Sequence, residues 1–185
     1  LTSTLNLGVD FGLWNQRVSG NVDVYDSKTS DLLLQRSLPA TSGVSRVIQN
    51  IGSTRNRGIE IGIQTVNIRK ANFTWTSGLN FTKNKEEIVD LVNGQNDVAN
   101  SWFIGQPVNS FYDYQKVGIW QTADSAAARS FGRKPGDIRV DDVDGDKLIT
   151  ANGDRVVLGS TVPKYVIGFN NDFKIGPVDL NIYIF

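Results

Sequence analysis

Leu5-Asn6-Leu7-Gly8-Val9-Asp10-Phe11-Gly12-Leu13 decides the fold. Large apolar residues hold every odd position and small or polar ones every even position. A strand, whose side chains alternate, therefore carries Leu5, Leu7, Val9, Phe11 and Leu13 on one face and Asn6, Gly8, Asp10 and Gly12 on the other. After Trp14-Asn15-Gln16-Arg17 the alternation resumes with Val18, Val22 and Val24 against Ser19, Asn21 and Asp23, so the two segments read as a hairpin. A second pair sets Ile59, Ile61 and Ile63 against Glu60, Gly62 and Gln64, then Phe73, Trp75, Leu79 and Phe81 against Thr74, Thr76, Gly78 and Asn80. A third runs from Tyr165, Ile167, Phe169 and Phe173 through Lys174-Ile175-Gly176-Pro177 to Val178, Leu180, Ile182 and Ile184.

Alternation alone fits an ordinary antiparallel sheet with one solvated face equally well. Connection length separates the two readings. Connections inside the pairs take about four to six residues, whereas those between pairs run over about 30 (27 to 57) and about 80 (84 to 163), against a median of ~4–6 in compact domains. Short turns alternating with long loops are the habit of an outer-membrane barrel, and each strand has roughly the 9–11 residues that cross a bilayer at a tilt. The expected fold is all-β: an antiparallel transmembrane β-barrel segment with long extracellular loops. Asp10, Asn21, Asp23, Glu60, Gln64 and Asn80 are expected to face a wet lumen. Trp14, Tyr25, Phe73, Trp75, Tyr165 and Phe173 are expected near strand ends, where aromatic girdles form. Six strands cannot close a plugged barrel, which takes about 22, so the remainder is expected elsewhere.

Composition excludes several chemistries. The chain has 185 residues and no Cys, His or Met, which removes zinc fingers, thiol nucleophiles, disulfide scaffolds and Ser-His-Asp triads. Any metal must be held by oxygen. Nineteen Lys and Arg balance 19 Asp and Glu, so the cationic field on which nucleic-acid binding depends is missing. No window approaches the ~20 apolar residues of a membrane helix. The start, Leu1-Thr2-Ser3-Thr4, carries neither an initiator Met nor a signal peptide, so the chain is expected to be a piece of a longer protein.

The long third connection holds one constellation that reads as a site. Asp142-Val143-Asp144-Gly145-Asp146-Lys147-Leu148-Ile149 follows the D-x-D-x-D opening of a calcium loop, with Asp142, Asp144 and Asp146 as side-chain ligands and Leu148 lending its carbonyl. Two departures stand out: Lys147 replaces the usual Gly at position 6, and position 12 is Gly153, which leaves Asp154, one residue late, as the fifth expected ligand. Three carboxylates within five residues repel one another unless something positive sits among them. Either Ca²⁺ does so, or the segment is a carboxylate-rich turn capped by Lys147, Arg139 or Arg155.

In the same connection, Ala123 to Ser130 reads as a short helix with Asp124 as N-cap, and Lys85 to Leu91 as a strand end passing into a helical turn. Trp102, Phe111, Tyr112, Tyr114 and Trp120 form either a stacking surface for substrate or a small core for the loop, and a loop this long needs a core. Asp137, Asp141 and Asp142 are a weak basis for glycosidase chemistry, and no nucleophile–base pair is evident, so no enzyme is expected.

These residues resemble the C-terminal barrel part of SusC/RagA-type TonB-linked outer-membrane proteins. The similar stretches are Thr29 to Leu34, Asn50-Ile51-Gly52, Asn56 to Glu60, Gly118 to Thr122, Pro135 to Arg139, Asp142 to Asp146, Asp154 to Gly159, and Pro163-Lys164-Tyr165 with Gly168-Phe169. They follow the family's order and cover nearly the whole chain. The resemblance implies that residues 1–185 belong to a large plugged barrel in the cell outer membrane, energised by the TonB complex through a part lying N-terminal to this chain. It also implies a SusD-like surface lipoprotein as partner, oligosaccharides or peptides as cargo, and partner or substrate contacts for the extracellular loop 84–163. The alternative from another class is a secreted calcium-dependent carbohydrate-binding β-domain.

Overall fold

The computed structural model describes residues 1–37, 43, 46–91 and 94–185. Six strands form one antiparallel sheet: β1 (Thr2–Leu13), β2 (Val18–Ser37), β3 (Arg46–Lys70), β4 (Phe73–Asp90), β9 (Val166–Ile175) and β10 (Val178–Ile184). Their order is β1-β2-β3-β4-β9-β10, with β1 and β10 at the edges. Register carries the alternation across the sheet. Val9 pairs with Val22, Val22 with Ile61, Ile61 with Phe81 and Phe81 with Ile167, so one apolar row crosses five strands. The neighbouring row, Asp10, Asn21, Gly62, Asn80 and Gly168, is polar or small and lies on the other face.

The three tight turns lie at one end of the sheet. In the first, Arg17 N–H donates to Trp14 O at 3.3 Å, and Asn15 and Gln16 both have left-handed backbones (φ 55° and 63°). This is the geometry of a two-residue turn whose twist matches that of the strands. In the last, Gly176 (φ 56°) takes the left-handed position and donates its N–H to Asn72 O in the neighbouring turn at 3.0 Å.

Strand length departs from the sequence reading. The supposed loop from 27 to 57 is largely strand, because β2 and β3 stay paired out to Ser37 and Arg46, through irregularities between Thr29 and Leu33. Lys85 to Asp90 is strand and not a helical turn, since its backbone is held by β3 as far as Ser53. Both segments project beyond the apolar rows, where charged residues mix with clusters such as Leu32 to Leu34 and Ile88-Val89 and alternation gives no signal.

The insertion between β4 and β9 is also more ordered than a loop. Residues 99–101 and 109–161 form a compact unit of their own. It contains β5 (Ser110–Tyr114) paired with β8 (Arg155–Ser160), β6 (Lys116–Ile119) paired with β7 (Ile138–Val140), and helix α1 (Ser125–Ser130) after a 3₁₀ turn at Thr122–Asp124. Asp124 makes no side-chain cap; Ser125 Oγ instead donates to Thr122 O. Trp120 and Ala128 form its buried apolar centre.

Candidate functional site

The apolar face of the sheet is bare. Leu7 is 69% exposed, Val9 66% and Ile184 59%, and Val24, Ile167, Leu180 and Ile182 are exposed with them. An apolar surface this continuous has a partner of its own kind, and among the described residues no second layer supplies one. Aromatic pairs bound the band. Near the turns Trp75 stacks on Phe173 at 5.6 Å; toward the opposite end Phe81 stacks on Tyr165 at 6.5 Å. The eight steps from Phe73 to Phe81 span ~26 Å along a strand at ~3.3 Å each, or ~20 Å when tilted by ~40°. That approaches the ~25 Å apolar band of outer-membrane barrels. The polar residues within the band satisfy one another: Asn171 Oδ1 accepts from Trp75 Nε1–H (2.9 Å) and from Ser77 Oγ–H (2.7 Å).

The opposite face is a hydrogen-bonded polar lattice. Asp10, Asn21, Asp23, Glu60, Gln64 and Asn80 all lie on it, as their pairings with Gly8, Gly62, Thr82 and Gly78 require. Asn21 Nδ2–H donates to Asp23 Oδ2 at 2.8 Å. Asn181 Nδ2–H bridges Asn170 Oδ1 (2.7 Å) and Asp172 Oδ1 (2.6 Å). Asn170, Asp172, Asn181, Asn84 and Tyr25 extend this face beyond the residues singled out from sequence. Tyr25 is a correction, because it does not join the outward aromatic girdle. It stands on the polar face above Gly58 and donates its hydroxyl to Asn84 Oδ1 at 3.2 Å. Its odd number, shared with Asn21 and Asp23, was the available signal.

In the inserted unit, Asp142, Asp144 and Asp146 each offer a carboxylate oxygen within 4.8 Å of the others. Backbone amides shape the turn: Gly145 N–H and Lys147 N–H donate to the two oxygens of Asp142 (3.0 and 3.1 Å), Asp146 N–H to Asp144 (3.2 Å) and Leu148 N–H to Asp146 (2.6 Å). Lys147 adopts φ 67°, the left-handed backbone that glycine prefers, so the departure in residue type has not changed the local path. Asp144 feels its neighbours. The Asp146 amide lowers its proton affinity, but desolvation and the charges of Asp146, Asp154 and Asp142 outweigh that and hold its carboxyl above the ordinary range.

Asp154 plays a different part from a fifth ligand. It is fully buried, and its oxygens accept from Val143 N–H (2.8 Å) and Thr150 N–H (2.7 Å), tying the two ends of the turn together. Two of the three cations suggested as caps are engaged elsewhere: the Arg139 guanidinium lies 4.7 Å over the Trp120 ring, and that of Arg155 lies 5.0 Å over Tyr112 while its Nε–H donates to Ala151 O at 2.8 Å.

The loop aromatics divide. Trp120 is buried against Phe131 (5.6 Å) and Arg139, and Tyr112 sits beneath Arg155, so both serve packing. Phe111 is 55% exposed and Tyr114 half-buried. Trp102 belongs to the unit of the sheet, where it lines a small cavity of about 20 Å³ with Leu32, Ile88 and Leu91.

A twisted sheet that is bare and apolar on one side, polar and internally bonded on the other, with its short turns gathered at one end, is a sector of a membrane-spanning β-barrel. The chain belongs to the TonB-dependent receptor family: the family's "TonB dependent receptor-like, beta-barrel" model matches residues 2–180. It is 36% identical over 194 residues to TonB-dependent receptor P3 of Formosa agariphila, an alignment covering 97% of this chain and 19% of that protein. It is 32% identical over 203 residues to TonB-dependent receptor SusC of Bacteroides thetaiotaomicron, covering 100% of this chain and 20% of that one. Among solved structures it is similar in fold to the RagAB peptide importer in its closed-closed state, with TM-score 0.74 and 24% identity over 98% of this chain and 20% of that one. The chain thus spans about a fifth of the length of the relatives it matches. The alternative of a freestanding sugar-binding domain finds no support in these matches or in the uncovered apolar face.

Proposed function

We propose that this chain is a wall sector, with its extracellular insertion, of a TonB-dependent importer in the outer membrane. The importer takes up oligosaccharides or peptides together with a SusD-like surface lipoprotein. The observation that carries this reading is the two-faced sheet: hydrocarbon fits one side, and a wet conduit lined by Asp10, Asp23, Glu60 and Asn170 fits the other. The family match and the relatives named SusC and RagAB support the choice of importer over a passive pore. Residues 109–161 supply surface for the lipoprotein or cargo, with Phe111 as the exposed aromatic. In the same reading Asp142, Asp144 and Asp146 hold Ca²⁺, whose charge relieves their repulsion and stiffens the insertion.

Disruption of the parent gene is expected to abolish energised uptake of a labelled oligosaccharide or peptide pool, and a protonophore to do the same in wild-type cells. The parent chain is expected to co-purify with a surface lipoprotein. Uptake indifferent to the protonophore, or a parent chain recovered outside the outer membrane, would overturn the proposal.

A further inference from the structure

Beyond the Phe81–Tyr165 pair the outward face changes character. The positions that continue the apolar rows away from the tight turns are Asp26 and Lys28 on β2, Arg55 and Arg57 on β3, and Lys83, Lys85 and Glu87 on β4. Register makes them one patch: Asp26 pairs with Arg57 and Arg57 with Lys85, while Lys28 pairs with Arg55 and Arg55 with Glu87. Five cations face two carboxylates. Asp26 is taken by Arg55, and Glu87 is shared between Lys85 (2.7 Å) and Arg57 (3.2 Å). Among the described residues Lys28 and Lys83 have no carboxylate partner, and Arg57 and Lys85 keep 45% and 57% of their side chains exposed.

A groove of about 390 Å³ runs through this patch. Its floor is apolar, formed by Leu7, Val24 and Ile59, and continues the bare band; its charged lining is Arg57, Lys83 and Lys85 together with Asp26, whose carboxylate is held by Arg55. Lys83 stands two residues past Phe81, only ~7 Å farther along the strand. A surplus of positive charge at headgroup height attracts anionic lipid. Lys and Arg stems that cross apolar surface deliver their heads to headgroup height. We infer that this groove binds a phosphorylated lipid of the leaflet on the long-loop side, an acyl chain on Leu7, Val24 and Ile59 and a phosphate between Lys83, Lys85 and Arg57. Charge complementarity selects phosphate, and continuity with the apolar band selects a lipid over free phosphate. The inference rests on the outer-membrane reading.

The test uses the detergent-purified parent barrel and native mass spectrometry, with bis-phosphorylated lipid A as probe, its dephosphorylated form as control and inorganic phosphate as competitor. One lipid A per barrel is expected, favoured about tenfold or more over the dephosphorylated form, which corresponds to ~1.4 kcal/mol. The triple variant R57Q/K83Q/K85Q is expected to lose that preference while keeping heat-modifiable mobility. If the triple variant does not fold, Lys83→Gln alone carries the comparison, because among the described residues Lys83 has no ion pair to break. Equal retention of the two lipids, an unchanged variant, or full displacement by millimolar inorganic phosphate would overturn the assignment. A barrel that folds in detergent yet ignores the phosphate refutes this inference alone; a parent chain that is soluble and folded without detergent refutes the membrane reading beneath it.

Discussion

Trp75 and Asn171 meet on the apolar face, the indole Nε1–H donating to Asn171 Oδ1 at 2.9 Å while Ser77 Oγ–H approaches the same oxygen at 2.7 Å. An asparagine in a hydrocarbon-facing row would be costly alone, but here it satisfies two donors that would otherwise be stranded. Asn171→Leu makes the row more apolar yet orphans the indole N–H. It is expected to destabilise the parent barrel by ~1–2 kcal/mol in guanidinium unfolding from lipid vesicles. Adding Trp75→Phe removes the orphan and should restore more than half of the loss. A double variant as unstable as the sum of the singles would show that the two residues do not act as a pair.

Leu79 and Asn80 are adjacent in sequence and opposite in placement. Leu79 pairs with Ile63 and Phe169 in the apolar rows; Asn80 pairs with Gly62 and Gly168 on the polar face. Leu79→Arg puts a guanidinium near the middle of the band and should cost ~2–4 kcal/mol. Asn80→Arg should stay within ~0.5 kcal/mol, as a solvated substitution does. The same vesicle-unfolding measurement reads both, and equal costs would mean that the two faces are not hydrocarbon and water.

The parity that separates Leu79 from Asn80 was legible in the sequence because an alternating pattern maps directly onto two faces. That pattern located all six sheet strands and set the six residues expected to face a lumen together on the face opposite the apolar rows. It failed wherever the strands leave the apolar band. Along Arg55–Arg57 and Lys83–Glu87 neither face is apolar, so pairing between β3 and β4, a long-range fact, extends the strands where local pattern suggested loop or helix. The aspartate turn was visible as spacing, but Asp154 as its clasp was not. Its role depends on the amides of Val143 and Thr150, which only the folded turn brings to it.

Gly20 marks the tightest backbone approach on the apolar face. A Cβ there would run into the carbonyl oxygen of Gly62 on β3, which cannot swing aside, and would stand 2.8 Å from Phe11 Cζ. Gly20→Ala should therefore force β2 and β3 apart or displace the Phe11 ring, costing ~1–3 kcal/mol despite the added apolar surface. Phe11→Ala in the same background relieves only the ring contact. If it restored full stability, the ring and not the Gly62 carbonyl would be the obstacle.

The aspartate turn separates a structural carboxylate from cation-binding ones. Asp154 is buried and holds two backbone N–H groups, so Asp154→Ala strands both and should loosen the turn by ~1–3 kcal/mol whether or not calcium is present. Asp144 contributes no comparable clasp: one short-range amide is its partner, and three like charges surround it. Asp144→Asn removes a ligand and relieves repulsion at once, so in the absence of calcium it should leave the turn as stable as wild type or slightly more so. Limited proteolysis of the parent receptor within residues 141–155 reads the difference. Wild type should gain protection at millimolar Ca²⁺, Asp144→Asn should show the same cleavage with and without Ca²⁺, and Asp154→Ala should be cleaved faster in both. If wild type gained no protection at millimolar Ca²⁺, the metal would be excluded, and amide donors alone would have to hold three carboxylates together.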